Sequence, residues 1–321
     1  MIVLPSKIID DLLTRGTFVS GEKIARKVGV SRTAVFKRIR GLRSDGYSIE
    51  SVRGKGYRLL PRLDGLLPLE IRMKAKSTTF GREVTTLESV DSTQNYGRKL
   101  ADAGALEGTI IVALEQTAGK GRMSRAWSSP KGGLWFTLLL RPSAPMGELY
   151  KLTLLFGVSV ARALESYGLR PCLKWPNDVL VNGKKICGIL LETSGEPDRV
   201  EYVLVGIGLN VNFSSRDLPD DIRSSSTSVY DALNRRVDRA DLLCRILEDS
   251  ERLYLSAAKG GFQRVLNAWR LMSCTIGRAV TVQSFGASIS GRAVDIDDDG
   301  SLIVETKEGR KKVYSGDVLL S

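Results

Sequence analysis

Apolar residues recur at helical spacing from the start of the chain, at Ile8, Ile9, Leu12 and Leu13, and Arg15-Gly16 ends the run, which predicts a first amphipathic helix. Ser20 then caps a short helix through Ile24, Ala25 and Val28, closed by a turn at Gly29. Ser31 caps a second helix whose Val35, Ile39 and Leu42 line one face, leaving Arg32, Thr33, Lys37 and Arg40 on the others. After Asp45-Gly46, the apolar positions Tyr47, Ile49 and Val52 precede Arg53-Gly54-Lys55-Gly56, and Tyr57-Arg58-Leu59 follows, which predicts two short strands around a basic glycine turn. A helix-turn-helix followed by such a hairpin is the winged-helix pattern. Its second helix is shaped for a major groove, and the wing carries Arg53, Lys55 and Arg58 toward phosphates or the minor groove.

Beyond a connection at residues 61–79, interrupted by Pro61 and Pro68, the pattern changes. Apolar runs at 110–114, 134–140, 186–191 and 200–205 read as strands, and 152–167 and 240–257 as helices. This mixed order predicts an α+β domain with helices on one side of a sheet. From Thr275 onward, short strands separated by glycine and acidic turns predict a small β-barrel. The expected organisation is a winged helix at 1–62, a central α/β domain at 80–272 and a small C-terminal domain at 273–321.

Composition narrows the chemistry. In 321 residues, 42% are hydrophobic and 26% charged, as in a soluble globular protein. No run of 18 apolar residues occurs and acids stand at Asp10 and Asp11, so a cytoplasmic protein without a membrane partner is expected. The chain has no histidine, which excludes every mechanism built on an imidazole base. Cys172, Cys187, Cys244 and Cys274 lack metal-ligand spacing, so reduced thiols and no protein metal site are expected. Of the net charge of +12, residues 1–60 contribute +8, from 13 Lys and Arg against 5 Asp and Glu. A basic excess concentrated in one small unit suits a polyanion such as operator DNA, although winged helices also serve as protein-binding modules. Ser31, Arg32, Thr33, Lys37, Arg40, Arg53 and Lys55 are its candidate contacts.

Two strings in the central region carry candidate chemistry. Gly119 and Gly121 flank Lys120, with Arg122 and Arg125 close behind, so backbone N–H groups and cations can approach an anion together; a basic surface loop reads the same way. With few apolar anchors, such a loop is expected to move when empty. In Lys174-Trp175-Pro176-Asn177-Asp178 a lysine precedes a rigid turn, where it can pair with a carboxylate or phosphate, and Asn177 and Asp178 can cap the turn or hold Mg2+ on ATP.

Taken in order, Asp91-Ser92-Thr93-Gln94-Asn95, Gln116 to Arg122, Lys174 to Asp178, Lys185-Ile186-Cys187-Gly188-Ile189-Leu190 and Gly206-Ile207-Gly208-Leu209-Asn210-Val211-Asn212 resemble the catalytic domain of the biotin protein ligases. The winged helix in front makes the chain similar to the bifunctional branch that is also a repressor of biotin genes, and the C-terminal pattern resembles that family's SH3-like domain. The resemblance implies a central fold similar to class II synthetases and lipoate ligases. It implies formation of biotinyl-5'-adenylate from biotin and MgATP, transfer to a lysine of a biotin carboxyl carrier protein, and a homodimer when the adenylate is bound.

Carried over residue by residue, the resemblance puts Ser92, Thr93, Gln94 and Gln116 around biotin, with Lys120, Gly121 and Arg122 in a loop that closes over the intermediate. Lys174, Arg122 and Lys185 are the implied catalytic cations, and Gly188 and Gly206 let strands approach the ligand. Gly119, Arg122, Asn177, Asp178, Lys185 and Asn210 are implied on the nucleotide side. The family's loop often reads Gly-Arg-Gly-Arg-Arg-Gly; here Lys120 replaces the first arginine, giving up its planar fork, and Met123-Ser124 replaces Arg-Gly. Residues 214–230 yield no adenine contact. The alternatives are a lipoate-type ligase and a biotin-sensing repressor without turnover.

Overall fold

The computed structural model describes residues 16–60, 62, 64–143, 146–196, 199–284 and 287–320. The chain divides into two compact units, residues 1–75 with 238–241, and residues 76–237 with 242–321.

The first unit follows local sequence signals closely. The helix expected around Ile8 to Leu13 lies outside the described residues. α1 (Gly21–Val28) begins where Ser20 Oγ accepts a hydrogen bond from Lys23 N at 3.1 Å, and it ends at Gly29, whose φ of 72° is the left-handed cap that glycine adopts without strain. α2 (Arg32–Ser44) is capped in the same way, Ser31 Oγ accepting from Ala34 N at 3.1 Å. The Ser31 oxygen proposed to meet DNA is thus already satisfying a helix-end donor. Ile24, Val35, Ile39, Leu42, Ile49, Leu59 and Leu69 form one buried core, the last of them from α3 (Pro68–Lys74).

β1 (Ile49–Val52) and β2 (Gly56–Leu59) pair antiparallel to make the wing, with Arg53, Gly54 and Lys55 exposed at its tip. Arg58 departs from expectation. Its guanidinium is held by Glu50 at 2.7 and 3.1 Å and stacks over Phe18 at 4.6 Å, so a cation read as a phosphate contact is spent within the hairpin. Arg32, Thr33, Lys37 and Arg40 stand exposed on α2.

In the second unit a seven-stranded mixed sheet has the order β3-β4-β5-β9-β8-β7-β6. Its strands are β3 (Val84–Leu87), β4 (Ile110–Ala113), β5 (Leu134–Leu140), β6 (Pro171–Lys174), β7 (Asp178–Val181), β8 (Lys184–Glu196) and β9 (Arg199–Leu209). β4, wholly apolar, and β5, apolar but for Thr137, are buried along their whole lengths, as strands covered on both faces must be. The helices do not share one side. α4 (Thr93–Asp102) sets Gly97 against Ile111, Thr137 and Leu204, whereas α5 (Tyr150–Glu165) sets Gly157 against Leu173 and Ile189 on the opposite face. The register explains this: Thr137 pairs with Gly206 and Gly206 with Leu190, so these share the α4 face, while Ile189 and Ile207 point to α5.

Short helices α6 (Asp220–Arg223) and α7 (Val229–Leu233) follow β9, then the long α8 (Arg239–Gly260) and α9 (Gln263–Met272). Glu251 of α8 is buried and accepts from Thr78 N, Thr78 Oγ1, Thr79 N and Phe80 N at 2.7 to 2.9 Å. Burial pushes its carboxyl upward, and the donors from Phe80, Thr78 and Thr79 outweigh that and hold it below the usual range. The C-terminal portion is a five-stranded antiparallel sheet, β13-β12-β11-β10-β14, built from β10 (Ala279–Ser284), β11 (Ala287–Ile296), β12 (Leu302–Thr306), β13 (Gly309–Val313) and β14 (Asp317–Leu320).

Candidate functional site

On the α4 face of the large sheet, Gly188 of β8 pairs with Gly208 of β9, and Gly206 lies two residues before Gly208. This glycine floor is shaped by what rests on it. A Cβ at Gly206 would lie 2.8 Å from Gln94 Nε2, one at Gly188 would lie 2.9 Å from the Trp127 ring, and one at Gly208 would come closer still to the indole nitrogen. Strand glycines normally weaken a sheet; here they let an amide and an indole lie on the backbone.

Above the floor, the cavity is walled by the start of α4 (Ser92, Thr93, Gln94), the 116–128 loop, the 177–190 hairpin and Asn210. Ser92 caps α4 by accepting from Gln94 N at 3.2 Å, and the Thr93 hydroxyl donates to Gln116 Oε1 and accepts from Thr137 Oγ1. Gln116 also donates to Ser129 Oγ at 2.8 Å, so its amide organises the wall and has little capacity left for a ligand. Gln94 donates to Leu190 O at 3.1 Å, yet its buried Oε1 has no hydrogen-bond partner, and neither does buried Trp127 Nε1. A buried polar atom left unpaired costs about 1 to 3 kcal/mol. One acceptor and one donor at the floor of a cavity therefore mark where a polar ligand completes the set.

The 116–128 loop is a narrow ribbon. Gln116 bridges Val90 and Ser129, Trp127 N donates to Gly119 O at 2.8 Å, and Gly121 N to Arg125 O at 2.7 Å. Gly119 itself does not line the cavity: a Cβ there would run into Trp127 O and Ser129 Oγ, so it allows the two arms to touch. Lys120 reaches the wall and donates to Asn95 Oδ1 at 2.6 Å. At the tip, Met123 and Ser124 both lie in the left-handed region, with φ of 54° and 59°. Side chains pay for that conformation, and a glycine at 124, usual in the resembled motif, would not.

Arg122, half-buried, donates to Asn177 Oδ1 at 3.0 Å and Gly316 O at 3.2 Å and stands 4.0 Å from Asp317; Arg125 also pairs with Asp317. Burial depresses the Arg122 pKa, and Asp317 and Asp178 work against that. The hydrogen bond and charge of Asp317 raise that of Arg125. Opposite them, Lys185 pairs with Asp178 at 2.7 Å and lies 5.1 Å from the centre of the Trp127 ring. Four cations, Lys120 among them, thus converge on one cavity with only two carboxylates on its wall, an arrangement with capacity for additional negative charge.

Lys174 stands beside the cavity wall and not in it. It lies on β6, the edge strand of the sheet, paired with Asp178 and so on the face of Gly188 and Gly208, but its side chain is not among those that line the cavity. The motif contributes Asn177 and Asp178 to the wall, and Lys185 of β8, two strands in from β6, reaches the cavity as Lys120 does. Asn210 is buried at the wall and donates to Thr227 O at 2.9 Å, tying down the segment that sequence reasoning could not assign. Lys185 N and O bond Ser225 O and Thr227 N, so Ser225 and Ser226, with Leu218 and Ile222, form the remaining wall. Arg125, expected with the basic loop, is in the wall, and Trp127, Phe136 and Asp317 are wall residues that the motifs did not single out. Three glycines on one face of β8 and β9 make room for a large flat side chain, and that was the available signal for Trp127. Among the described residues no cluster of three His, Cys, Asp or Glu side chains could hold a metal, and no helix is long and apolar enough to cross a membrane.

Comparison with known proteins agrees with this geometry. The family model described as Biotin/lipoate A/B protein ligase family matches residues 86–210, that of the Biotin protein ligase C terminal domain residues 275–321, and an HTH domain residues 6–58. The chain is 43% identical over 94% of both lengths to the bifunctional ligase/repressor BirA of Bacillus spizizenii, and 29% identical to that of Escherichia coli over 98% of this chain and 95% of the relative. Among solved structures, the biotin protein ligase of Aquifex aeolicus in complex with biotin and ATP superposes with a TM-score of 0.66 at 32% identity, covering 75% of this chain and 99% of that one.

Proposed function

The chain belongs to the biotin protein ligase family, and from that premise we propose that it makes biotinyl-5'-adenylate from biotin and ATP, transfers biotin to a carrier lysine and represses biotin genes from its winged helix. The observation that carries the enzymatic reading is the convergence of Arg122, Arg125 and Lys185 above a glycine floor where Gln94 and Trp127 hold unpaired polar atoms.

On this reading the ureido group of biotin meets the Ser92 to Gln94 turn, and its carboxylate points toward Arg122 and Lys185. A carboxylate oxygen attacks the α-phosphorus, forming a C–O–P anhydride as the α–β bond breaks and pyrophosphate leaves with the electron pair. The carboxylate is already a nucleophile at neutral pH, so the protein aligns reactants and neutralises charge, and no imidazole base is required. The carrier's amine then attacks the anhydride carbonyl, forming the amide, releasing AMP and giving its proton to water. Mg2+ bound to the phosphates of ATP would supply charge neutralisation there, and Asp178 with Asn177 on the cavity wall would hold it. Arg122 clamps the adenylate against loss of a reactive anhydride.

The winged helix binds operator DNA through Arg32, Thr33, Lys37 and Arg40 on α2 and Arg53 and Lys55 on the wing. Occupancy by adenylate favours a homodimer, which presents two such helices to two half-sites, so adenylate and DNA stabilise each other reciprocally. The carrier protein consumes the adenylate and reverses this in the cytoplasm. Pyrophosphate release on mixing the protein with biotin and MgATP, absent with lipoate in place of biotin, is the expected result. Lipoate turnover at an equal rate would replace this reading with that of a lipoate-type ligase, and no release with either would leave a sensor without turnover.

A further inference from the structure

α2 carries one side chain that neither the core nor its helix caps explain. Val35, Ile39 and Leu42 are buried, whereas Phe36 is 54% exposed. It falls in the stripe Thr33, Phe36, Lys37 and Arg40, at i, i+3, i+4 and i+7, so the four side chains share the solvent face of the helix. An isolated exposed apolar residue is ordinary on a protein surface. The setting of Phe36 is different: Thr33, Lys37 and Arg40 beside it are exposed, and α2 holds no acidic residue along its whole length.

A surface with cations at its edges and an aromatic ring at its centre has a definite complement. The cations select a polyanion, while the ring requires an apolar group among the polyanion's polar edges. In the major groove of DNA the C5 methyl of thymine is the one such group, and phenylalanine is among the side chains that contact it. We propose that Phe36 is a specificity-determining residue that reads thymine methyl groups in the operator half-site. This rests on the DNA-binding reading of α2 and adds to it a preference for one base. Lys37 and Arg40 then supply phosphate attraction that is blind to sequence, and Phe36 part of the discrimination.

The test uses the full-length protein with biotin and MgATP. A duplex is selected from a randomised double-stranded pool, then resynthesised with deoxyuridine at each thymine of the half-sites in turn, a change that removes only the methyl. Anisotropy titrations should show wild type losing about four-fold in affinity per contacted methyl. Phe36→Ala should bind the thymine duplex more weakly and give equal affinities for thymine and deoxyuridine. Its salt dependence should match wild type, whereas Lys37→Ala should flatten the slope by about 1. An unchanged unfolding temperature of Phe36→Ala separates lost contact from lost fold. Full thymine discrimination retained by Phe36→Ala overturns the proposal and turns the ring toward a protein partner. A selected duplex bound with no methyl dependence overturns it while leaving DNA binding intact; failure of any duplex to enrich removes the DNA-binding reading itself.

Discussion

The first unit and the ligand cavity solve opposite construction problems. The helix-turn-helix and wing use consecutive residues from Phe18 to Leu59, joined by caps, tight turns and a two-stranded hairpin. The cavity wall is assembled from segments between Ser92 and Asp317, on α4, a ribbon loop, β8, β9, the 218–226 segment and the first residue of β14. A contiguous unit presents many similar cations to an extended polyanion and tolerates imprecision in each. A composite cavity must place a few groups within tenths of an ångström, so single atoms decide its function.

The sharpest way to break this contrast is to exchange one lysine for the other. Lys185→Ala should slow ATP–pyrophosphate exchange by about 10²- to 10³-fold, the loss of one preorganised cation at a developing charge, and by more than Lys174→Ala, whose side chain lies beside the cavity wall. Equal losses in the two variants would return Lys174 to the site. Next in size is the floor: Gly208→Ala places a methyl against Trp127, and biotin binding by calorimetry should weaken by about 10-fold or more with the secondary structure unchanged. Wild-type affinity would show that the indole can move aside at no cost.

Glu251→Gln tests the scaffold behind the cavity. It leaves backbone donors at 78–80 with a weaker acceptor, and about 1 to 3 kcal/mol of stability should be lost near neutral pH. Since the folded carboxyl is held below its ordinary value, its contribution is full above the unfolded pKa and disappears as pH falls through the folded one. Wild type and Glu251→Gln should therefore converge in urea midpoint in acid below about pH 4.3, the ordinary glutamate value, and differ at pH 7. A gap independent of pH would contradict the assignment. The smallest effect belongs to the contiguous unit: Ser31→Ala should cost about 1 kcal/mol in the unfolding of that unit and leave the rate of pyrophosphate release unaltered. A matching fall in ligase rate would show that the two constructions are not separable.

The caps at Ser20 and Ser31, the left-handed turn at Gly29 and the wing were legible because each is decided within a few residues. In the ligase unit the motif strings identified most of the cavity, including Arg122, Asn177, Asp178, Lys185 and the glycines, since the chemistry requires those residue types. Sequence adjacency misled at Lys174, Gly119 and Arg58. Lys174, on the edge strand β6, shares the face of Asp178 and Gly188 but stops short of the cavity wall, the close approach of the loop's two arms occupies the second, and Glu50 across the hairpin occupies the third.

By itself the sequence determined the class of chemistry, one without histidine that uses cations and glycines, and it determined the local elements, because caps, periodicity and turn residues act over short range. Only the tertiary structure decided which lysines line the cavity, what lies on the glycine floor and that Asp317, more than a hundred residues away along the chain, holds Arg122 and Arg125. Those outcomes follow from strand order and register, which bring distant residues within a few ångströms and set each side chain on one face of the sheet or the other.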